Sequence, residues 1–456
     1  MDEILTRIAD MLTVASNHVC GYPFFFLLIG GGLFLFIYSG GVSLRHLNSS
    51  IKALRESKAA ATGDGQISPF QALMSEIAST VGMGCIAGVA IAVTMGGPGT
   101  VFWMWVSAIV GMSTKFFEGA LAVMYKGKDA SGETQGGPMY IITTGLGKKW
   151  TPMAYFFSIF GLIGTLCFMQ ANQLVEAVTT VFTTPAGIEN TLSLRFIMGL
   201  VISIIVASVI LGGIKRISSI SSKIVPVMVL LYFILVFAII LINLDKIPGV
   251  ISTILHEAFN MEAGIGGILG TAIIGARRAT YVNEAGVGTA SLMHGASRNN
   301  DPIREGLITM IGPALDSGLV CTLTAIPILL VGYDVSSGEI KGLDLALHAF
   351  GDLLPGYGEY MLMAIVLFFA FSTMFSYSYY GMKCTNFLFG PQNTKYYNYF
   401  YLVMIIVAAM IPLDSVVAVM DMSFAFMALP NMIALLLLAP RVKRLMKNYF
   451  SKSRQC

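Results

Sequence analysis

Apolar residues in this chain fall in long runs separated by short polar links, and most runs reach the length of about 20 residues that a helix needs to cross a bilayer. About eleven such runs are present, near 20–42, 70–95, 99–125, 152–183, 193–213, 219–243, 264–291, 304–332, 359–387, 396–413 and 415–438. The pattern predicts an all-α polytopic membrane protein of about 11 transmembrane helices. A polar linker occupies 43–68, a loop with Asp245, His256, Glu257 and Glu262 follows the sixth run, and the end of the chain from residue 439 is basic.

The links alternate in charge. Basic residues gather at Arg45, Lys52, Arg55 and Lys58, at Lys126, Lys128, Lys148 and Lys149, at Lys215, Arg216 and Lys223, at Arg298 and Arg304, and in the tail. The alternate links are acidic, most clearly at Asp334, Glu339, Asp344, Asp352 and Glu359. In an eleven-span model the two sets fall on opposite sides. The positive-inside rule then puts the amino terminus outside and the carboxy terminus in the cytoplasm of a bacterial inner or plasma membrane. Composition agrees: 55% of residues are hydrophobic and only 12% charged. A net charge of +3 gives no footprint for nucleic acid, so the expected partners are the lipid bilayer and a small solute. The mixed, acidic start MDEILTRIAD does not read as a cleavable leader. The six cysteines show no metal spacing. His18, His46, His256, His294 and His348 are dispersed with no adjoining nucleophile, which argues against an enzyme.

Ten runs remain once the first is set aside. Five per repeat is an odd number, so two such repeats insert with opposite orientation. The expected organisation is an extra helix and linker over 1–68, repeats at 69–243 and 262–438, and a tail at 439–456. The lead run of each repeat carries an interruption. The first holds TVGMGCIAG (Thr80 to Gly88), with the acidic Glu76 just before it. The second holds glycines at 264, 266, 267, 270, 275, 286 and 288, together with Arg277, Arg278 and Glu284. Glycines alone permit close helix packing. Charges at membrane depth are costly, however, and mark sites where broken backbone lines a polar cavity.

Five segments in order, TVGMGCIAGVA, GGPGTVFWMW (Gly96 to Trp105), GMSTKFFEG (Gly111 to Gly119), QGGPMY (Gln135 to Tyr140) and RRATYVNEAGVGTAS (Arg277 to Ser291), resemble the alanine/glycine:cation symporter family over about residues 65–440. The resemblance implies a leucine-transporter-like fold and sodium-driven uptake of small neutral amino acids, chiefly alanine and glycine. The chain departs from the family pattern at four positions. Met83 and Cys85 stand where Thr and Asn are usual, and Val282 and Ser291 where Ser and Pro are usual. Cys85 offers a soft sulfur in place of a hard oxygen, so one sodium site of related transporters is expected to be lost or altered.

A zwitterionic substrate needs donors for its carboxylate, and the backbone at Met83 and Gly84, opening a half-helix, supplies them. Its ammonium needs oxygens, for which the candidates are Glu76, Gln170 and carbonyls freed around Gly275. Ala272, Gly275 and Ala276 are expected to line the break in the second repeat. The resemblance puts a binding glutamine at Gln170 and an acidic site residue at Glu76. The related fold implies a sodium (Na+) site in which carbonyls near Ala78 and Val81 meet the adjacent hydroxyls of Ser372 and Thr373. Blander readings stand beside these: a helix-to-helix hydrogen bond for Gln170, a buried structural acid for Glu76, and hydroxyls bonded to their own backbone for the pair. Arg277 and Arg278 are expected to pair with Glu284 or to lie near a cytoplasmic gate. Asp316 is expected to orient arginines or to be structural, and Lys223 is a minor candidate for proton coupling. Proton coupling, altered specificity and a non-transporting sensor are the alternatives to sodium symport.

Overall fold

The computed structural model of the chain describes residues 16, 18–58, 63–259, 264–332 and 342–453. An apolar helix, Tyr22–Tyr38 (α1), precedes the amphipathic Leu47–Arg55 (α2). Pro69–Thr80 (α3) and Gly84–Gly96 (α4) are halves of one apolar helix bent by 47°. Thr100–Met124 (α5) leads into an antiparallel hairpin of Gly127–Lys128 (β1) and Thr134–Gln135 (β2). Thr151–Gly164 (α6), Phe168–Val178 (α7), Leu192–Ile210 (α8), Gly213–Ile242 (α9) and Ile247–Ala258 (α10) complete the first half. The second half runs through Gly264–Asn283 (α11), Thr289–His294 (α12), Pro302–Val331 (α13), Leu343–Leu353 (α14), Gly358–Phe389 (α15), Thr394–Met410 (α16) and Leu413–Ser453 (α17).

Among the described residues, seven helices are long and apolar enough to span a membrane, and eight when the bent pair counts as one. The other three expected spans are also helical. α1 is apolar but short, α16 has 17 residues, and α11 carries two arginines. Two stretches read as loops contain helices instead, α10 with 12 residues and α14 with 11. Both are too short to cross a bilayer, so a search for spanning runs passes over them. The basic stretch after residue 438 continues α17 as helix to Ser453. Glu262, Asp334 and Glu339 lie outside the described residues.

The first interruption is built locally. Ser68 and Gln71 form a reciprocal capping box ahead of Pro69, which fixes the start of α3. The helix then stops at Val81, whose ψ of 80° leaves the helical region. Gly82 lets α3 meet α15: a Cβ there would stand 2.1 Å from Thr373 Oγ1.

The second interruption is not where the sequence suggested. α11 runs unbroken through Ala272, Gly275 and Ala276, so no carbonyls are freed there. Gly275 is a packing glycine, since a Cβ would stand 2.7 Å from the Thr100 carbonyl oxygen on α5. The chain unwinds between α11 and α12, where Glu284, Gly286 and Gly288 take φ of 52°, 88° and 102°. Glycine accepts that region freely, whereas a non-glycine residue there is held by its surroundings.

Candidate functional site

The α3 break faces the middle of α15, and this juxtaposition gathers oxygens. Thr373 Oγ1 donates to the carbonyls of Ala78 at 3.0 Å and Phe369 at 2.9 Å. Ser372 Oγ lies 3.5 Å from the Ala78 carbonyl and 3.1 Å from that of Phe369. Val81 is fully buried at the bend. The sequence reading that joined Ala78 to Ser372 and Thr373 is therefore met in space. The hydroxyls also bond their own helix, as the blander reading held. Cys85 turns its thiol onto the Thr80 carbonyl at 3.3 Å.

Glu76 has a different setting from the one expected. It is fully buried, but its carboxylate is already engaged: Oε1 receives Lys115 Nζ at 2.6 Å and Oε2 lies 2.8 Å from His294 Nε2. Each oxygen of the carboxylate thus already holds one partner within the protein. His294 Nδ1 lies 2.6 Å from Glu305 Oε1, and Asn299 donates to Glu305 Oε2 at 2.7 Å. A neutral imidazole has one N–H. Two carboxylates on its two nitrogens therefore mean that this trio holds one further proton. Such a chain also offsets the desolvation of charges that would otherwise be prohibitive to bury. Lys115 and Glu118 lie in the GMSTKFFEG segment, which the sequence reading used as a motif without weighing its charges. His294 was set aside as dispersed.

Side chains from four helices hold the second break. Tyr377 of α15 and Thr289 of α12 donate short hydrogen bonds to the Glu284 carboxylate. Glu118 Oε1 of α5 accepts from the Gly286 amide at 3.0 Å and from Asn431 of α17 at 2.7 Å. Asn431 also donates to the Gly286 carbonyl at 2.8 Å. Arg277 and Arg278 do not reach Glu284. Both bind Asp421 on α17, with Arg277 Nη2 2.6 Å from Oδ2 and Arg278 closer still. Asp421 was missed, although an acid in an apolar run is the same signal that singled out Glu76. Asp316 accepts from the Ser317 amide and pairs with no arginine among the described residues. Lys223 is exposed on α9.

Gln170 sits in the first turn of α7, after the short break at 165–167 that ends α6, and is buried. Among the described residues its Oε1 has no hydrogen-bond partner, and the same holds for the buried Tyr281 hydroxyl of α11. A buried acceptor and a buried hydroxyl left over in this way fit a polar ligand that brings its own donors and acceptors. Met83 and Gly84 are fully buried at the start of the second half-helix, where amides lack partners within their own helix. The Tyr281 ring covers Gly84, with Cε1 3.2 Å from where a Cβ would stand. Ala272 and Ala276 are buried, and Ala276 faces Cys20 and Phe24 near α1.

A separate cavity of about 700 Å³ opens where the hairpin, the start of α9 and the end of α15 meet, lined by Asp129, Gln135, Lys215, Arg298, Lys383 and Asn386. Asp129 organises its rim. Burial raises the carboxyl, but hydrogen bonds from Ser131, from Asn386 and from the Glu133 amide outweigh it and hold the group down at about 2.

Comparison with known proteins identifies the family. The model of the sodium:alanine symporter family matches residues 5–456. The sodium/alanine symporter AgcS of Methanococcus maripaludis is 36% identical over 438 residues, covering 94% of each chain. The probable sodium/glutamine symporter GlnT of Bacillus subtilis is 31% identical over 452 residues, 98% of this chain and 91% of that one. The putative sodium/proton-dependent alanine carrier protein YrbD of the same organism is 32% identical over 469 residues, covering 98% and 93%. These matches span nearly the whole chain, including both broken helices, and the protein belongs to the sodium:alanine symporter family, a family of transporters and not of enzymes.

Proposed function

We propose that the protein carries small neutral amino acids, alanine and glycine first, into the cytoplasm together with sodium by alternating access. One observation carries the sodium assignment: the carbonyl of Ala78 meets the hydroxyls of Ser372 and Thr373 across the seam between α3 and α15. Three hard oxygens at a broken helix suit an alkali cation, and the Val81 carbonyl at the bend is the natural fourth. Cys85 contributes no such oxygen, so a single sodium at this seam is the simplest stoichiometry. The amino acid then lies beside it, its carboxylate on the amides of Met83 and Gly84 and its ammonium on the unpartnered Gln170 Oε1. Ala272, Gly275 and Ala276 take no part, because α11 is continuous there.

Two interrupted helices, each followed by a long span (α5 and α13), support an inverted-repeat core behind the extra helix α1. The alternating loop charges support an outside amino terminus. A bundle of α3 to α5 with α11 to α13 rocking against the remainder would open and close the seam. A proton-coupled reading keeps one observation in its favour, the extra proton held among Glu76, His294 and Glu305.

Reciprocal binding tests the proposal. Sodium titrated onto the purified protein should bind more tightly with alanine present, and alanine more tightly with sodium, by one common factor. Alanine binding that ignores sodium and follows pH would favour the proton reading.

A further inference from the structure

Glu76, Lys115, His294 and Glu305 are each fully buried, and they come from four separate elements, α3, α5, α12 and α13. Glu76 stands two residues before Ala78. The Glu76 side chain turns to Lys115, while the Ala78 carbonyl, near the end of α3, meets Ser372 and Thr373 of α15. On the side towards α15 the two helices pack closely through Gly82, these hydroxyls and Ser79, which lies 2.9 Å from the Tyr380 hydroxyl. The Glu76 side is held by charge.

We propose that Lys115 is a positioning residue for the sodium site. Resting on the sodium reading above, the inference is that the Lys115–Glu76 pair fixes the height and rotation of α3, and so the place at which the Ala78 carbonyl meets the hydroxyls of α15. A buried ion pair tolerates little sliding, because its desolvation is offset only while the two groups touch. His294 at 2.8 Å and Glu305 behind it hold the second carboxylate oxygen, so the pair cannot rotate to another partner without breaking that contact too. The carboxylates of Glu118, Glu284 and Asp316 also act on Lys115 through space. Lys115 thus stands among more acids than bases, and no second lysine or arginine replaces it at Glu76 among the described residues.

The test measures half-saturating sodium, and the KM for alanine at saturating sodium, in proteoliposomes of the full chain. It compares wild type, Lys115→Met and the double variant Glu76→Gln/Lys115→Met, each first checked for a monodisperse size-exclusion profile. Lys115→Met should raise half-saturating sodium about tenfold, with alanine KM at saturating sodium within about twofold of wild type. The double variant removes the unpaired Glu76 charge that Lys115→Met leaves and should show a smaller rise in the same constant. If the single variant does not fold, the double variant alone decides. Wild-type sodium dependence in any folded variant, or sodium and alanine constants rising in step, would reduce Lys115 to a structural role and overturn the proposal. A wild type indifferent to sodium would instead bring down the parent reading, and this inference with it.

Discussion

Thr373 Oγ1 donates to the Ala78 carbonyl at 3.0 Å and thereby joins a broken helix to an unbroken one. The contact is available only because Gly82 lets the two helices touch, and because α3 ends two residues beyond Ala78. A hydroxyl aimed at a carbonyl can instead turn its lone pairs to a cation lodged between them.

Replacing Thr373 with Ala should therefore weaken sodium more than alanine. The expected change is a rise of about tenfold in half-saturating sodium, of the size of one lost ligand or hydrogen bond to a charge. Sodium-dependent uptake curves for Thr373→Ala and Ser372→Ala check this, and unchanged curves for both would remove the site from the seam.

Gly82→Ala tests the same contact from the other side. Its Cβ would fall 2.1 Å from Thr373 Oγ1, so α3 must shift away from α15. Overpacking of this kind costs about 1–3 kcal/mol. A lowered melting temperature in detergent, together with weakened sodium dependence, is the expected outcome.

Gln170→Ala removes the buried, unpartnered oxygen assigned to the substrate ammonium. Alanine KM should rise about tenfold or more, while protein stability stays near wild type because no intramolecular bond is lost. Competition binding of alanine and thermal melting, measured together, separate this outcome from a helix-packing role, in which stability would fall and KM would hold.

Asp421→Ala should be the most destabilising of these changes. It leaves Arg277 and the buried Arg278 without their shared carboxylate, a loss of about 3–5 kcal/mol when a buried pair is broken. Thermal melting of the variant beside Asp421→Asn, which keeps a neutral acceptor, is the check, and the Asn form should fall between Ala and wild type.

At the hairpin, the Asp129 carboxyl is held below its ordinary 3.8, at about 2. A depressed acid stabilises the fold above its unfolded value and loses that contribution as pH falls through the folded one. The link from the hairpin to Asn386 should accordingly be intact at neutral pH and released as pH falls from 3.8 towards 2. Hydrogen exchange over residues 127–135 should accelerate across that window in wild type, and already at neutral pH in Asp129→Asn.

Hydropathy made most of the fold legible, because a spanning helix announces itself by length and apolarity. The short helices α10 and α14 escaped for the converse reason. The first break was readable because glycines and an embedded acid coincide within a few residues. The second was misplaced by about ten residues, since glycines that pack against a neighbour look the same in sequence as glycines that bend the chain. Gly275 does the former, and Gly286 and Gly288 the latter. Pairing was the least legible property. Nothing local tells that Glu76 meets Lys115, 39 residues away, and His294, 218 away, or that Arg278 meets Asp421 and not the nearer Glu284.

The most direct measurement is uptake of labelled alanine into proteoliposomes under an inward sodium gradient, with an inward proton gradient as the parallel arm. Sodium-driven accumulation above the external concentration, abolished when sodium is replaced by potassium and weakened by Thr373→Ala, is the predicted result. Accumulation driven by the proton gradient alone, indifferent to sodium and to Thr373, would contradict the account.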